Sequence, residues 1–238
     1  MLFRSEAIAR KHTLADSLAH LEWNKLKINL IDTPGMGNFL TDARAALRVA
    51  DAAVVVVDAV SGVQVSTEKV WATADDLHLP RLIVCSRLDR ERASLTRALE
   101  SLQAALGRAC VPVQIPIGEE KGFTGVIDLV GMKAYAFVPD ESGTMTEGPV
   151  PDALASAATS ARNSLIEMVA EADARLMDTF FEAGTLTQEE LTAGLARAIR
   201  AGRIVFAGSS RDADAYRGPA TRVVDLKGAT ALPLPAAA

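Results

Sequence analysis

KINLIDTPGMGNFLTDARAALRVADAAVVVVD, residues 27–58, sets two β-rich runs on either side of one helical pattern. The first run, Lys27 to Asp32, ends on a carboxylate followed by Thr33-Pro34-Gly35. Between the runs, Leu40, Ala43, Leu47 and Ala50 recur at steps of three and four residues, which puts them on one apolar helix face. The second run, Ala52 to Asp58, is almost continuously apolar and predicts a strand buried on both faces. The order strand, helix, strand is that of a parallel crossover unit.

The same rhythm continues outward. Thr67, Val70, Trp71 and Ala74 mark a second helix face, and Arg81 to Ser86 (RLIVCS) a third strand. Leu95, Leu99, Leu102 and Leu106 mark a third helix, which ends at the breaker Gly107. Together these predict an α/β domain, a mostly parallel sheet with flanking helices, whose three strands all end in polar residues on one edge. After Gly107 the pattern changes to short strands with turns: VPVQIPIG, GFTGVIDL and MKAYAFV. Pro139 to Pro151 reads as a surface loop. One helix is expected over about 160–181, carrying Leu165, Ile166, Val169, Leu176, Met177 and Phe180. Another opens with Thr187 and Glu190 in capping-box spacing and closes near Gly202. Residues 108–202 thus read as a small α+β insertion, followed by a last strand, Arg203 to Ala207, and an Ala/Pro-rich tail expected to be disordered.

Composition removes several function classes. A net charge of -5 and a pI near 5.3 argue against sequence-specific nucleic-acid binding through a basic face. The longest apolar run, Ala52 to Val57, is far short of the roughly 20 residues that span a bilayer, so no membrane role is expected. The start, MLFRSEAIARKH, lacks the apolar core of a secretory signal, and the cytoplasm is the default location. Cys85 and Cys110 read as small core residues, and His12, His20 and His78 form no cluster in sequence.

The chemistry-bearing positions are the loops after the strands. Asp32 suits a Mg²⁺-holding carboxylate, and Gly35 an unhindered backbone NH beside a terminal phosphate. Thr13 upstream offers a hydroxyl to the same ion. Ser86-Arg87-Leu88-Asp89 places a carboxylate where it can accept two hydrogen bonds from a guanine ring, and Gly208-Ser209-Ser210 offers backbone NH groups to the base. Taken singly, each has an ordinary reading: a turn at Asp32, a loop threonine at Thr13, a helix N-cap at Asp89. Their order along one sheet makes the set specific.

With KINLIDTPG, RAALRVADAAVVVVDAVSGVQVSTEKVW, LPRLIV, VPVQIPIGEEKGFTGVIDLVGMKAY and EADARLMDTFFE, the chain resembles the translational GTPases, and among them elongation factor G and its paralogues, over about residues 6 to 210. The resemblance implies a P-loop GTPase fold with an inserted subdomain, and a ribosome-associated protein that couples GTP hydrolysis to translocation or recycling. It implies Mg²⁺ with GTP or GDP as ligands. By position, Thr13 and Asp32 would hold Mg²⁺. Thr33, Pro34 and Gly35 would belong with Asp32 to the second switch. Ser86, Arg87 and Asp89 would form the guanine motif, and Ser209 and Ser210 would line the base pocket. The domains would be an incomplete GTP-binding domain over 1–107 and 203–238, with 108–202 as the insertion.

The departures from that pattern are specific. The sequence holds no G-x-x-x-x-G-K-[ST] to cradle phosphates. Met36 stands where the resemblance implies a catalytic histidine, and Ser86-Arg87-Leu88-Asp89 keeps only the aspartate of N-K-x-D. Residues 211–238 lack the apolar spacing of a closing helix. Alternatives therefore stay open beside an active GTPase domain: a pseudo-GTPase or ribosome-binding module without catalysis, or a non-functional gene fragment.

Overall fold

The computed structural model describes residues 6–7, 9–10, 12–23, 25–138, 144–200 and 205–207. The expectations for the closing helix and tail, and for Ser209 and Ser210, lie outside the described residues. In chain order the elements are β1 (Ser17–Trp23), β2 (Leu26–Asp32), α1 (Leu40–Leu47), β3 (Ala53–Asp58), α2 (Val65–Asp76), β4 (Arg81–Ser86) and α3 (Leu95–Leu106). They continue with β5 (Val111–Pro112), β6 (Gln114–Ile117), β7 (Gly125–Asp128), β8 (Lys133–Phe137), β9 (Met145–Pro149), α4 (Asp152–Ala170), α5 (Ala174–Ala183), α6 (Gln188–Arg200) and β10 (Val205–Ala207).

A parallel four-stranded sheet runs β3-β4-β10-β5. One face carries Val55, Val57, Ile83 and Cys85, which share a buried cluster with Trp71 of α2 and Leu95, Ala98 and Leu102 of α3. Both cysteines lie in this cluster, and burial pushes each thiol up to about 12, as inert core residues require. The β3–β4 edge is tied to α2 by Arg81. Its buried guanidinium lies 4.4 Å from the Trp71 ring centroid and bonds the Trp71 carbonyl and the Asp75 carboxylate. On the other face Leu82 packs against a second cluster holding Leu165, Val169, Leu191 and Leu195. Helix α4 meets β5, and α6 meets β4. Residues 114–149 form an antiparallel sheet, β6-β7-β8-β9, whose Ile127, Leu129 and Ala134 belong to this second cluster.

Three expectations are corrected. Lys27 to Asp32 is a strand, but among the described residues it pairs antiparallel with β1, from Ser17↔Asp32 to Trp23↔Leu26, rather than entering the parallel sheet. Hairpin pairing closes a very short loop at little entropic cost, and Lys25 at φ 65° supplies the left-handed turn. Pro139 to Pro151 is not all loop: β9 adds to β8 in register Lys133↔Pro149 to Phe137↔Met145, with Lys133 Nζ 2.5 Å from Glu147 Oε1. An open strand edge overrode a weak local propensity. The helix expected over about 160–181 is two helices, broken where Asp173 caps α5 by accepting from the Arg175 amide at 3.0 Å. Its apolar face is as expected, with Leu165, Val169 and Leu176 buried.

Candidate functional site

Strands β2, β3 and β4 each end on a polar residue: Asp32, Asp58 and Ser86. The loops that follow them carry the sequence-derived site. After β2, Thr13 and Asp32 are brought together: the Thr13 hydroxyl donates to Asp32 Oδ2 at 3.1 Å, joining residues 19 apart. Pro34 is buried and pins the turn, and a methyl group added at Gly35 would meet nothing within 4 Å, so that backbone faces open space. Met36 begins a short 3-10 turn, with its carbonyl accepting from Phe39 at 2.9 Å and its side chain 47% exposed.

This corner is negatively charged. Burial raises the pKa of Asp16, and the carboxylates of Asp42 and Asp32 raise it further. Such a group of neighbouring carboxylates is the setting in which hard oxygen donors attract a divalent cation. The Thr13 hydroxyl and the Asp32 carboxylate fit Mg²⁺, an ion that keeps several waters and takes only one or two protein oxygens. Among the described residues no group of three or more His, Cys, Asp or Glu forms a metal site.

After β4 the arrangement differs. Arg87, at φ 63°, turns its guanidinium onto Asp58, with Nη1 2.7 Å from Oδ2. Asp58 also accepts from the amides of Val60 and Ser61 at 2.8 and 3.2 Å. Burial pushes the Asp58 carboxyl up, but the Arg87 hydrogen bond, the two amides and the Arg87 charge more than offset this and hold it below the ordinary value. Ser86 is half-buried and its carbonyl accepts from the Ala59 amide at 3.0 Å. Leu88 is buried in the α2–α3 cluster, which leaves the side chain of Asp89 exposed. Asp89 does not cap a helix: that role falls to Ser94, which accepts from Arg97 at the start of α3.

Asp58 escaped the sequence reading. Its signal was a carboxylate closing an apolar strand, the same signal that singled out Asp32. Among the described residues no hydrogen bond or ion pair joins the Thr13–Asp32 group to the Asp58–Arg87 group. A cavity of ≈ 330 Å³, lined by Gly37, Leu40, Gln64, Val65, Ser66 and Lys69, opens between the starts of α1 and α2 and holds none of the sequence-derived site residues.

Residues 2–206 match the family described as the elongation factor Tu GTP binding domain. Among solved structures, a crystal structure of a protein from Thermus thermophilus superposes with a TM-score of 0.77 at 32% identity, over 85% of this chain. The chain spans 30% of that protein's length. The parallel sheet, its helices and the family match over most of the sequence agree, and the chain belongs to the translational GTPases, as a GTP-binding domain of elongation factor G type.

Proposed function

We propose that this chain supplies the switch and base-reading loops of the GTP site in an elongation-factor-G-type protein that serves the ribosome in protein synthesis, in the cytoplasm. The observation that carries the reading is the Thr13–Asp32 hydrogen bond of 3.1 Å, which sets a hydroxyl and a carboxylate side by side at the end of β2. In this reading Thr13 and Asp32 hold Mg²⁺, and the ion offsets charge on the phosphate oxygens. Thr33 and Pro34 fix the turn, and Gly35 offers its amide toward the terminal phosphate. Asp89, with Ser86 and Arg87 on the same loop, reads guanine, and Ser209 and Ser210 line the base pocket. Residues 108–202 act as the insertion within a GTP-binding domain formed by 1–107 and 203–238, except that β5, Val111–Pro112, completes the parallel sheet of that domain beside β10.

A second reading, a ribosome-binding module without catalysis, is favoured by Met36 and by Arg87. The Met36 thioether is only a weak acceptor and does not position a water, and the Arg87 guanidinium is already paired with Asp58. Titration calorimetry with GTP and Mg²⁺ separates the two. The chain by itself should bind GTP weakly, because its sequence contains no lysine-bearing phosphate loop. Joined ahead of Ser5 to a family phosphate-loop segment, it should bind GTP, and Thr13→Ala and Asp32→Ala should each weaken the Mg²⁺-dependent part by about ten-fold, the scale of one lost polar ligand. Failure of the extended chain to bind would favour the binding module. Binding indifferent to both substitutions would overturn the Mg²⁺ assignment.

A further inference from the structure

The hairpin between β6 and β7 ends in a tightly determined turn. Gly118 sits at φ 80°, and a Cβ there would lie 1.9 Å from the Gly122 carbonyl oxygen, so only glycine fits. The turn closes on itself: the Gly122 amide donates to the Glu119 carbonyl at 2.9 Å, Phe123 to Glu120 at 3.0 Å, and Thr124 to Ile117 at 2.9 Å. This backbone holds Glu120 at φ 50°, a conformation uncommon for a residue with a side chain. Behind it the Phe123 ring packs on Phe137, centroids 5.5 Å apart, and on the cluster that contains Leu88, Ala93 and Leu95.

The loop after β4 meets this turn. Glu120 Oε1 accepts from the Arg92 amide at 2.8 Å, a bond between residues 28 apart. Arg92 is itself left-handed, at φ 63°, and its carbonyl accepts from the Arg97 guanidinium. Both backbone polar groups of Arg92 are therefore held by side chains from other elements. At its start the loop is also held by the Arg87–Asp58 ion pair at 2.7 Å, but beyond Arg87 its remaining bonds are short-range or weak: Arg90 amide to Arg87 carbonyl at 3.2 Å, Ala93 amide to Arg90 carbonyl at 3.0 Å, and Ser94 amide to Ala59 carbonyl at 3.4 Å. The Lys121–Glu91 pair, 3.9 Å apart and largely exposed, adds little. A carboxylate bonded to a backbone amide is the strongest directed tie across this junction.

We propose that Glu120 is a positioning residue: through the Arg92 amide it fixes the 86–93 loop in the form that leaves Asp89 free for a guanine ring, and so couples that loop to the β6–β7 hairpin. The coupling rests on the base-reading role proposed above, and two measurements on the whole chain separate the two ideas. In the first, amide exchange is followed without nucleotide. Glu120→Ala should speed exchange at Arg92 and its neighbours by about ten-fold or more, as expected for losing one charge-assisted hydrogen bond, with α3 and β8 unchanged. Glu120→Gln, which keeps an acceptor, should restore most of the protection. Unaltered exchange at Arg92 in Glu120→Ala would overturn the proposal. So would a general loss of protection across the hairpin that glutamine does not rescue, because Glu120 would then be only a fold-stabilising residue.

In the second, amide shifts of residues 86–93 are titrated with millimolar GDP or ADP in Mg²⁺. The unsubstituted chain should respond to GDP at lower concentration than to ADP, and Glu120→Ala should lose that preference while Glu120→Gln keeps it. Equal responses to GDP and ADP in the unsubstituted chain would overturn the base-reading role and the proposal's nucleotide half, even if the exchange result held. A preference that survives in Glu120→Ala would overturn the positioning role alone.

Discussion

Arg87 Nη1 lies 2.7 Å from Asp58 Oδ2, and this ion pair ties together the ends of two neighbouring parallel strands, β3 and β4. The Asp58 side chain is 20% exposed and that of Arg87 53% exposed, so the pair is worth less as stability than as a constraint on the loops.

Because the Asp58 carboxyl is held below its ordinary value, its contribution to stability is present above the unfolded value and is lost as pH falls through the folded one. Arg87→Ala removes both the hydrogen bond and the charge, so Asp58 should titrate at higher pH and acid unfolding should begin earlier. A carbon-detected NMR titration of the Asp58 carboxyl measures the first effect directly. An unmoved titration would show that the Val60 and Ser61 amides alone hold the group.

Asp16 has the opposite sign. Its pKa is raised, by burial first and then by Asp42 and Asp32, so the folded state binds the proton more tightly and loses stability as pH rises through the folded value. Asp16→Asn should therefore raise Tm slightly at pH 7 and make no difference below the ordinary carboxylate range. Millimolar Mg²⁺ should shrink the difference if the ion settles beside Asp32. A lower Tm at pH 7 for the asparagine variant would contradict the charge argument.

Gly194 on α6 faces α4 and α5 so closely that a Cβ would lie 2.5 Å from both Leu176 Cδ1 and Val169 Cγ1. Alanine favours a helix over glycine by about 1 kcal/mol, but overpacking a close-packed site costs about 1 to 3 kcal/mol. Both neighbours are buried and have little room to yield, so Gly194→Ala should lower stability by about 1 kcal/mol. Combining it with Leu176→Ala should make alanine at 194 less harmful than it is alone. Chemical denaturation of the four variants completes the cycle, and strict additivity would refute the clash.

Met36 is 47% exposed at the start of its turn, so Met36→His should leave folding unchanged. In a chain extended with a family phosphate loop, the imidazole should raise single-turnover GTP hydrolysis on ribosomes by about ten-fold or more, the range of a positioned acid–base group. Binding should barely move, since it depends on phosphate and Mg²⁺ contacts. Equal hydrolysis rates for methionine and histidine would mark Met36 as a tolerated substitution.

What the sequence determined by itself was whatever short-range physics specifies. The apolar run Ala53–Asp58 and the strand Arg81–Ser86 were legible from composition. The α3 face that buries Leu95 and Leu102 was legible from period, and the reciprocal Thr187–Glu190 bonds ahead of α6 from spacing. The residues that meet at the ends of the strands followed from the same reading in one case only, Thr13 with Asp32. The rest needed the tertiary structure. Glu120 lies 28 residues from Arg92 and Asp58 lies 29 from Arg87, and no local pattern marks either partner. The pairing of β2 with β1, the recruitment of β9 to β8, and the seating of α4 and α6 against the parallel sheet likewise depend on which edges and faces remain open once the chain collapses. Local propensities differ by less than about 1 kcal/mol per residue, whereas burying a large side chain is worth about 1.5 to 3 kcal/mol, so packing decides wherever the two disagree.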